Sequence, residues 1–167
     1  MQQAQQYLQQ GHLENAIVHY ALATRLDPAR AESWVNLGII QYQTNQHTEA
    51  LDSLKKAIKL NPNVMEAYTA LGDIYRLHGK EQESLNAYQR AAAVKRTPLS
   101  LNKLACSLRT AGEFVKAEAL YKEVLSMAPE FTLAKTNLAT LQIELQRFDA
   151  ARDQLKAVQK LPCSKPE

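Results

Sequence analysis

Apolar residues recur along this chain at spacings of three and four, the period of an amphipathic helix rather than the alternation of a strand. Trp34, Leu37 and Gly38 mark one such face, and Ala50, Leu54 and Ala57 mark a second. The same two faces return at Tyr68, Leu71 and Gly72, then at Ser84, Tyr88 and Ala91. Between the paired windows lies a short turn holding Gly11, Gly79 or Gly112, where a glycine takes positive φ at little cost. Asn45 fills that place in one copy and also tolerates the left-handed region. Pro28, Pro62 and Pro129 close three of the second windows, since proline cannot continue a helix. The pattern predicts helices over 1–10 and 13–26, 31–43 and 47–60, 65–77 and 81–95, 98–110 and 114–127, and 132–145 and 148–161, as five antiparallel pairs.

These windows repeat in register. Ala31 to Gly38 is echoed by Met65 to Gly72 at an offset of 34, with weaker copies from Pro98 and Thr132. Small residues stand at repeat position 8 (Ala4, Gly38, Gly72, Ala105, Ala139) and at position 20 (Ala16, Ala50, Ser84, Ala117, Ala151), where two helices must approach closely. Position 24 is large: Tyr20, Leu54, Tyr88, Tyr121 and Leu155. Lys135 departs from the aromatic or apolar position 4 held by Trp34, Tyr68 and Leu101. One repeat is a residue short, with Arg96 where proline is expected and Pro98 opening the next helix, which predicts a local change in stacking angle.

On these residues the chain resembles the tetratricopeptide repeat family over essentially its whole length. The resemblance implies an all-α solenoid of about five helix-turn-helix repeats, a right-handed superhelical arc with a concave groove. It divides the single array into repeats at 1–30 (truncated at its N-terminus), 31–64, 65–97, 98–131 and 132–161, with a tail at 162–167. Solenoid ends need polar outer faces. Arg152 and Gln159 replace the apolar residues that Leu51 and Ile58 supply earlier, so the C-terminal side reads as an end of the array. The glutamine-rich N-terminal side reads as a cut or a short cap.

The family lines its groove with one face of the first helices. Here that face implies Asn36, Tyr42, Gln43, Thr69, Asp73, Arg76, Asn102, Lys103, Cys106, Arg109, Thr136, Asn137 and Thr140 as peptide-binding residues. Side-chain amides can both donate to and accept from an extended backbone. Asn36 and Asn137 share a position reminiscent of the asparagine ladder in the repeat arm of O-GlcNAc transferases, which Ala70 and Lys103 interrupt. The carboxylate clamp of chaperone-tail binders is not supported, because Glu66 and Ala70 stand where its cations would follow Asn36.

Composition narrows the chemistry. The 167 residues carry a net charge of +3, too little to imply nucleic acid or an anionic membrane. No apolar run reaches the length of a membrane span and no signal peptide is visible, so a cytoplasmic location without membrane insertion is expected. Cys106 and Cys163 form no close pair, which fits free thiols in a reducing compartment. The five glycines are absorbed by turns (11, 79, 112) and by packing (38, 72), leaving none for a phosphate loop. Trp34, Tyr68, Tyr20, Tyr88, Tyr121, Phe114 and Phe148 sit at core positions. Tyr42 and, less so, Phe131 are the spare aromatics, too few for a stacking platform. His12, His19, His47 and His78 lack metal or catalytic spacing. Cys106 has no histidine after residue 78 to act as its base. Glu81 with Glu83, and Glu113 with Glu118, read as solvated helix faces.

The expectation is a non-catalytic interaction scaffold without cofactor or metal. It captures a protein segment in its groove, and Arg76, Lys103 and Arg109 favour an acidic one. Two further readings are self-association through the N-terminal edge, and service as the substrate-selecting arm of a larger enzyme such as a glycosyltransferase.

Overall fold

The structure is a computed structural model describing residues 2–159, with side chains up to residue 156. It contains α1 (Gln2–Gln9), α2 (Leu13–Leu26), α3 (Ala31–Gln43), α4 (His47–Leu60), α5 (Met65–Leu77), α6 (Glu81–Val94), α7 (Pro98–Thr110), α8 (Phe114–Met127), α9 (Thr132–Glu144) and α10 (Phe148–Gln159). These are the ten windows predicted from periodicity, with α1, α6 and α9 each ending a residue earlier. The side chains of Val158 and Gln159, the tail 162–167 and Cys163 lie outside the described part.

The chain divides into two compact units, residues 1–95 and 96–167. In the first, α1 packs on α2, α3 on α4 and α5 on α6, while α3 also rests against α2 and α5. In the second, α7 packs on α8 and α9 on α10, and α9 also touches α7 and α8. Short turns between paired helices make each pair an antiparallel hairpin.

Close approach within a hairpin has a direct steric cause. A Cβ added at Gly38 would lie 2.7 Å from Leu54 Cγ, and one added at Gly72 would lie 2.5 Å from Tyr88 Cε1. Ala16, Ala50, Ser84, Ala117 and Ala151 are all buried where the helices cross. Ser84 solves its polarity by donating from Oγ to the Gly72 carbonyl at 2.9 Å. Each fully buried Leu or Ile adds about 1.5–3 kcal/mol to the core; Leu54 and Ile74 serve the first unit, Leu101 and Leu138 the second.

Gly11, Gly79 and Gly112 adopt φ of +76°, +67° and +78°, and Asn45 adopts 61°. Gln146 takes the same conformation at 58°, a place no residue-type signal marked. At the start of α7 in the second unit, Thr97 and Ser100 form a reciprocal capping box. Thr97 Oγ1 accepts from the Ser100 backbone N–H at 3.1 Å, and Ser100 Oγ accepts from that of Thr97 at 2.9 Å. Arg96, in the place of the expected proline, clamps Glu123 of α8 with contacts of 2.7 and 2.8 Å.

Two expectations are corrected. Phe148 is 62% exposed and Phe114 is also exposed, so neither belongs to the core. Phe148 starts α10, and with Ile143 and Leu155 it borders an open cavity of about 420 Å³. The outer face of the last hairpin is therefore mixed, with Arg152 exposed beside these apolar side chains. Lys135, the polar departure at an apolar position, is nonetheless buried. Its stem fills the site and its ammonium reaches Glu130 at 3.3 Å.

Candidate partner-binding faces

In the first unit, the exposed face of α3 and α5 has an apolar floor and a polar rim. Val35, Ile39 and Val64 with Asn36, Glu32 and Glu66 line a cavity of about 270 Å³. Gln43 is exposed. Tyr42 is half-buried, packs on the core and sits 5.9 Å from the His47 ring. Thr69 donates its hydroxyl to the Met65 carbonyl, leaving only acceptor capacity for a partner.

Asp73 and Arg76 lie one turn apart on α5, and Tyr88 of α6 reaches between them. Its hydroxyl donates to Asp73 Oδ1 at 2.7 Å and also meets the Arg76 guanidinium. Burial, then the Asp73 carboxylate, pushes the phenol well above its ordinary range, so it stays a donor. The bond to Tyr88 raises Arg76, burial opposes that, and the nearby Asp73 adds to the rise; the residue as a whole is exposed.

The second unit builds the corresponding place differently. Tyr121 of α8 donates to Cys106 Sγ at 3.2 Å, and Asn137 Nδ2 of α9 donates to the same sulfur at 3.2 Å. The second amide hydrogen of Asn137 bonds Asn102 Oδ1 at 3.0 Å. Asn102 is only 2% exposed, so it serves as a bridge between α7 and α9 rather than an open groove residue. Arg109 forms an ion pair with Glu144, and its Nε is buried without a hydrogen-bond partner. Burial and the contact with Cys106 push Tyr121 upward. Thr136 and Thr140 donate to the Thr132 and Thr136 carbonyls, and Lys103 is half-buried.

Within each unit, then, the structure gathers most of the expected residues onto first-helix faces. It removes Asn102 from reach and spends three threonine donors internally. Arg109 is not a free cation, because Glu144 holds it. The sequence reading missed Tyr88 and Tyr121 as contributors to these faces by assigning them wholly to the core. The available signal was a tyrosine, rather than leucine, opposite a polar residue at repeat position 9.

Cys106 has hydrogen-bond donors but no base beside its sulfur, and among the described residues no group of three His, Cys, Asp or Glu side chains could hold a metal. Among the described residues no helix is long and apolar enough to cross a membrane.

Family models of the tetratricopeptide repeat match residues 31–64, 53–86 and 108–161, and a TPR repeat model matches 4–45. The chain is 29% identical over 145 residues to a probable UDP-N-acetylglucosamine–peptide N-acetylglucosaminyltransferase SPINDLY of Hordeum vulgare, covering 82% of this chain and 15% of that protein. It is 34% identical over 79 residues to small glutamine-rich tetratricopeptide repeat-containing protein 2 of Mycosarcoma maydis, covering 47% and 22%. With the peroxisomal targeting signal receptor of Komagataella phaffii it shares 23% over 157 residues, covering 87% and 27%. The chain thus spans only 15% to 27% of the length of these relatives. A crystal structure of MamA superposes with a TM-score of 0.83 at 25% identity, covering 94% of this chain and 92% of the other. PilF of Pseudomonas aeruginosa matches with 0.84 at 17%, covering 98% and 75%, a likeness of fold alone.

Proposed function

Because the chain belongs to the tetratricopeptide repeat family, we propose that it is a non-catalytic scaffold whose first-helix faces hold a segment of a partner protein. The observation that carries this reading is the α3–α5 cavity, with its floor of Val35, Ile39 and Val64 and its rim of Asn36 and Glu66. An apolar floor takes a partner side chain, and a polar rim satisfies the backbone on either side of it. That one relative is named a targeting signal receptor supports the same class of role. Arg109 contributes less to any preference for acidic segments than a free cation would, because it already faces Glu144.

The test is site-specific photo-cross-linking in cells. A cross-linking residue at Asn36 or at Thr136 on the first helices should trap a partner. The same residue at Lys55 or Lys122 on the second helices should not. Equal trapping from both sets would overturn the reading. Charge reversal at Arg76, Lys103 and Arg109 together should weaken trapping while the helical signal persists; unchanged trapping removes the acidic preference.

A second reading, the recognition arm of a larger enzyme, is favoured by the 29% identity to the glycosyltransferase relative across 82% of this chain. The size of the native gene product on an immunoblot decides it. A product no larger than 18.8 kDa eliminates this reading.

A further inference from the structure

The outer side of α2 carries an apolar ridge that the rest of the first unit lacks. Val18, Leu22 and Leu26 lie at i, i+4 and i+8 and are 65%, 49% and 78% exposed. The corresponding ridge of α4 begins with Asp52 and Lys56, and that of α6 with Asn86 and Arg90.

Three large aliphatic side chains in one row are costly to hydrate, and i±4 rows are the ridges by which helices interlock. The ends of the row name the occupant. Glu14 opens the face and Arg25 closes it, and neither is ion-paired among the described residues. A parallel copy would set Glu14 against Glu14. An antiparallel copy, related by a two-fold axis between Val18 and Leu22, sets Glu14 of each chain near Arg25 of the other. The face is therefore complementary to itself in one orientation, which is the requirement of an isologous dimer.

We infer that α2 is the interface of an antiparallel two-fold dimer of this chain. The inference concerns the second-helix side of the first unit, away from the α3–α5 cavity, and does not rest on the partner-binding reading. It places self-association on the flank of α2 rather than on the polar N-terminal edge expected from sequence.

The experiment is sedimentation of the full chain over a wide concentration range, with charge-swapped variants. The wild type should pass from monomer to dimer mass. L22E, at an exposed position, should stay monomeric with unchanged helicity. E14R and R25E should each dissociate at roughly tenfold higher concentration than wild type. Mixing E14R with R25E should recover a heterodimer, and the double variant E14R/R25E should recover the homodimer. A strict wild-type monomer overturns the proposal. So does a dimer indifferent to L22E, which would place the interface elsewhere. Failure of the mixed variants to associate overturns the antiparallel geometry, and a ridge occupied instead by another protein would appear as a wild-type chain that is monomeric alone.

Discussion

Two tyrosines at the same repeat position do different work in the two units. Tyr88 packs against Gly72 with no room for even a methyl group, and this close seat brings its hydroxyl to 2.7 Å from Asp73. In the second unit Ala105 stands at the repeat position of Gly72, and the Tyr121 hydroxyl meets the larger sulfur of Cys106 at 3.2 Å. Gly72 leaves the Tyr88 ring seated against the α5 backbone, while the equivalent pair in the second unit is Ala105 with Cys106. In the first unit the tyrosine ends in a charge-assisted bond that also steadies Arg76. In the second the weaker sulfur contact is supplemented from α9 by Asn137, so polar order there spreads across two hairpins.

The outer surfaces differ in the same spirit. On α8 and around α10, cations are matched: Lys122 and Arg147 both hold Glu118, Arg96 holds Glu123, and Arg152 reaches Asp149. On α4 of the first unit Lys55, Lys56 and Lys59 have no carboxylate partner among the described residues, and Lys56 lies over the Trp34 ring at 4.2 Å. Neighbouring repeats of one family can thus share a backbone plan while distributing charge quite differently. Exposed pairs of this kind contribute at most about 1 kcal/mol each, so the contrast bears on what each surface attracts more than on stability.

The largest expected effect comes from erasing the small-residue difference. Gly72→Ala forces a Cβ into the Tyr88 ring, which cannot swing away as a flexible chain end would, and should destabilise by about 1–3 kcal/mol. Ala105→Gly makes the reciprocal change and should cost about 1 kcal/mol, mostly from the flexibility of glycine inside a helix. Urea denaturation measures both. A neutral Gly72→Ala would show that the first hairpin has slack and would dissolve the comparison.

Next in size is removal of the hydroxyls. Tyr88→Phe deletes the donor to a partly buried carboxylate and should cost about 1–2 kcal/mol, while Tyr121→Phe loses a weak contact to sulfur and one to Arg109, at about 0.5–1 kcal/mol. Equal losses would mean that the sulfur contact is as strong as the carboxylate one.

Much of this contrast was written in the residues. The hairpins, their turns and their contact points follow from the positions of Gly38, Gly72 and the buried alanines, because helix crossing is decided by side-chain size at known spacings. Nothing in a glutamine marks positive φ, so Gln146 was legible only through its register, 34 residues after Gly112 in the α9–α10 turn. The burial of Asn102 was equally hidden. Its position in the repeat places it on the first-helix face, but only the amide of Asn137 on the next hairpin turns it inward. Phe114 and Phe148 mislead for a related reason: an aromatic at a packing position is buried only where another element covers it.

A smaller effect separates the units by pH. Hydrogen bonding from Lys122 lowers the Glu118 carboxyl, burial opposes that, and Arg147 adds to the lowering. A carboxyl whose folded pKa is depressed contributes stability above its unfolded value, about 4.3, and loses it as pH falls through the lower folded value. The wild type should therefore lose melting temperature more steeply than Glu118→Gln below about pH 4.3. Parallel curves would remove Glu118 as the source.

The smallest expected change in stability tests whether the second unit withholds its cation from partners. Glu144→Gln removes the carboxylate beside Arg109, and the partly exposed pair should cost less than about 1 kcal/mol. Its effect on binding should be larger than its effect on folding, because Arg109 would be released on the same face as Thr136. If that face prefers acidic segments, Glu144→Gln should strengthen photo-cross-linking from Thr136 and make it more salt-sensitive, while trapping from Asn36 in the first unit stays unchanged. A gain at both positions would point to a general charge effect rather than to Arg109. No gain at either would mean that the Arg109–Glu144 pair is structural, leaving the first unit to supply the recognition.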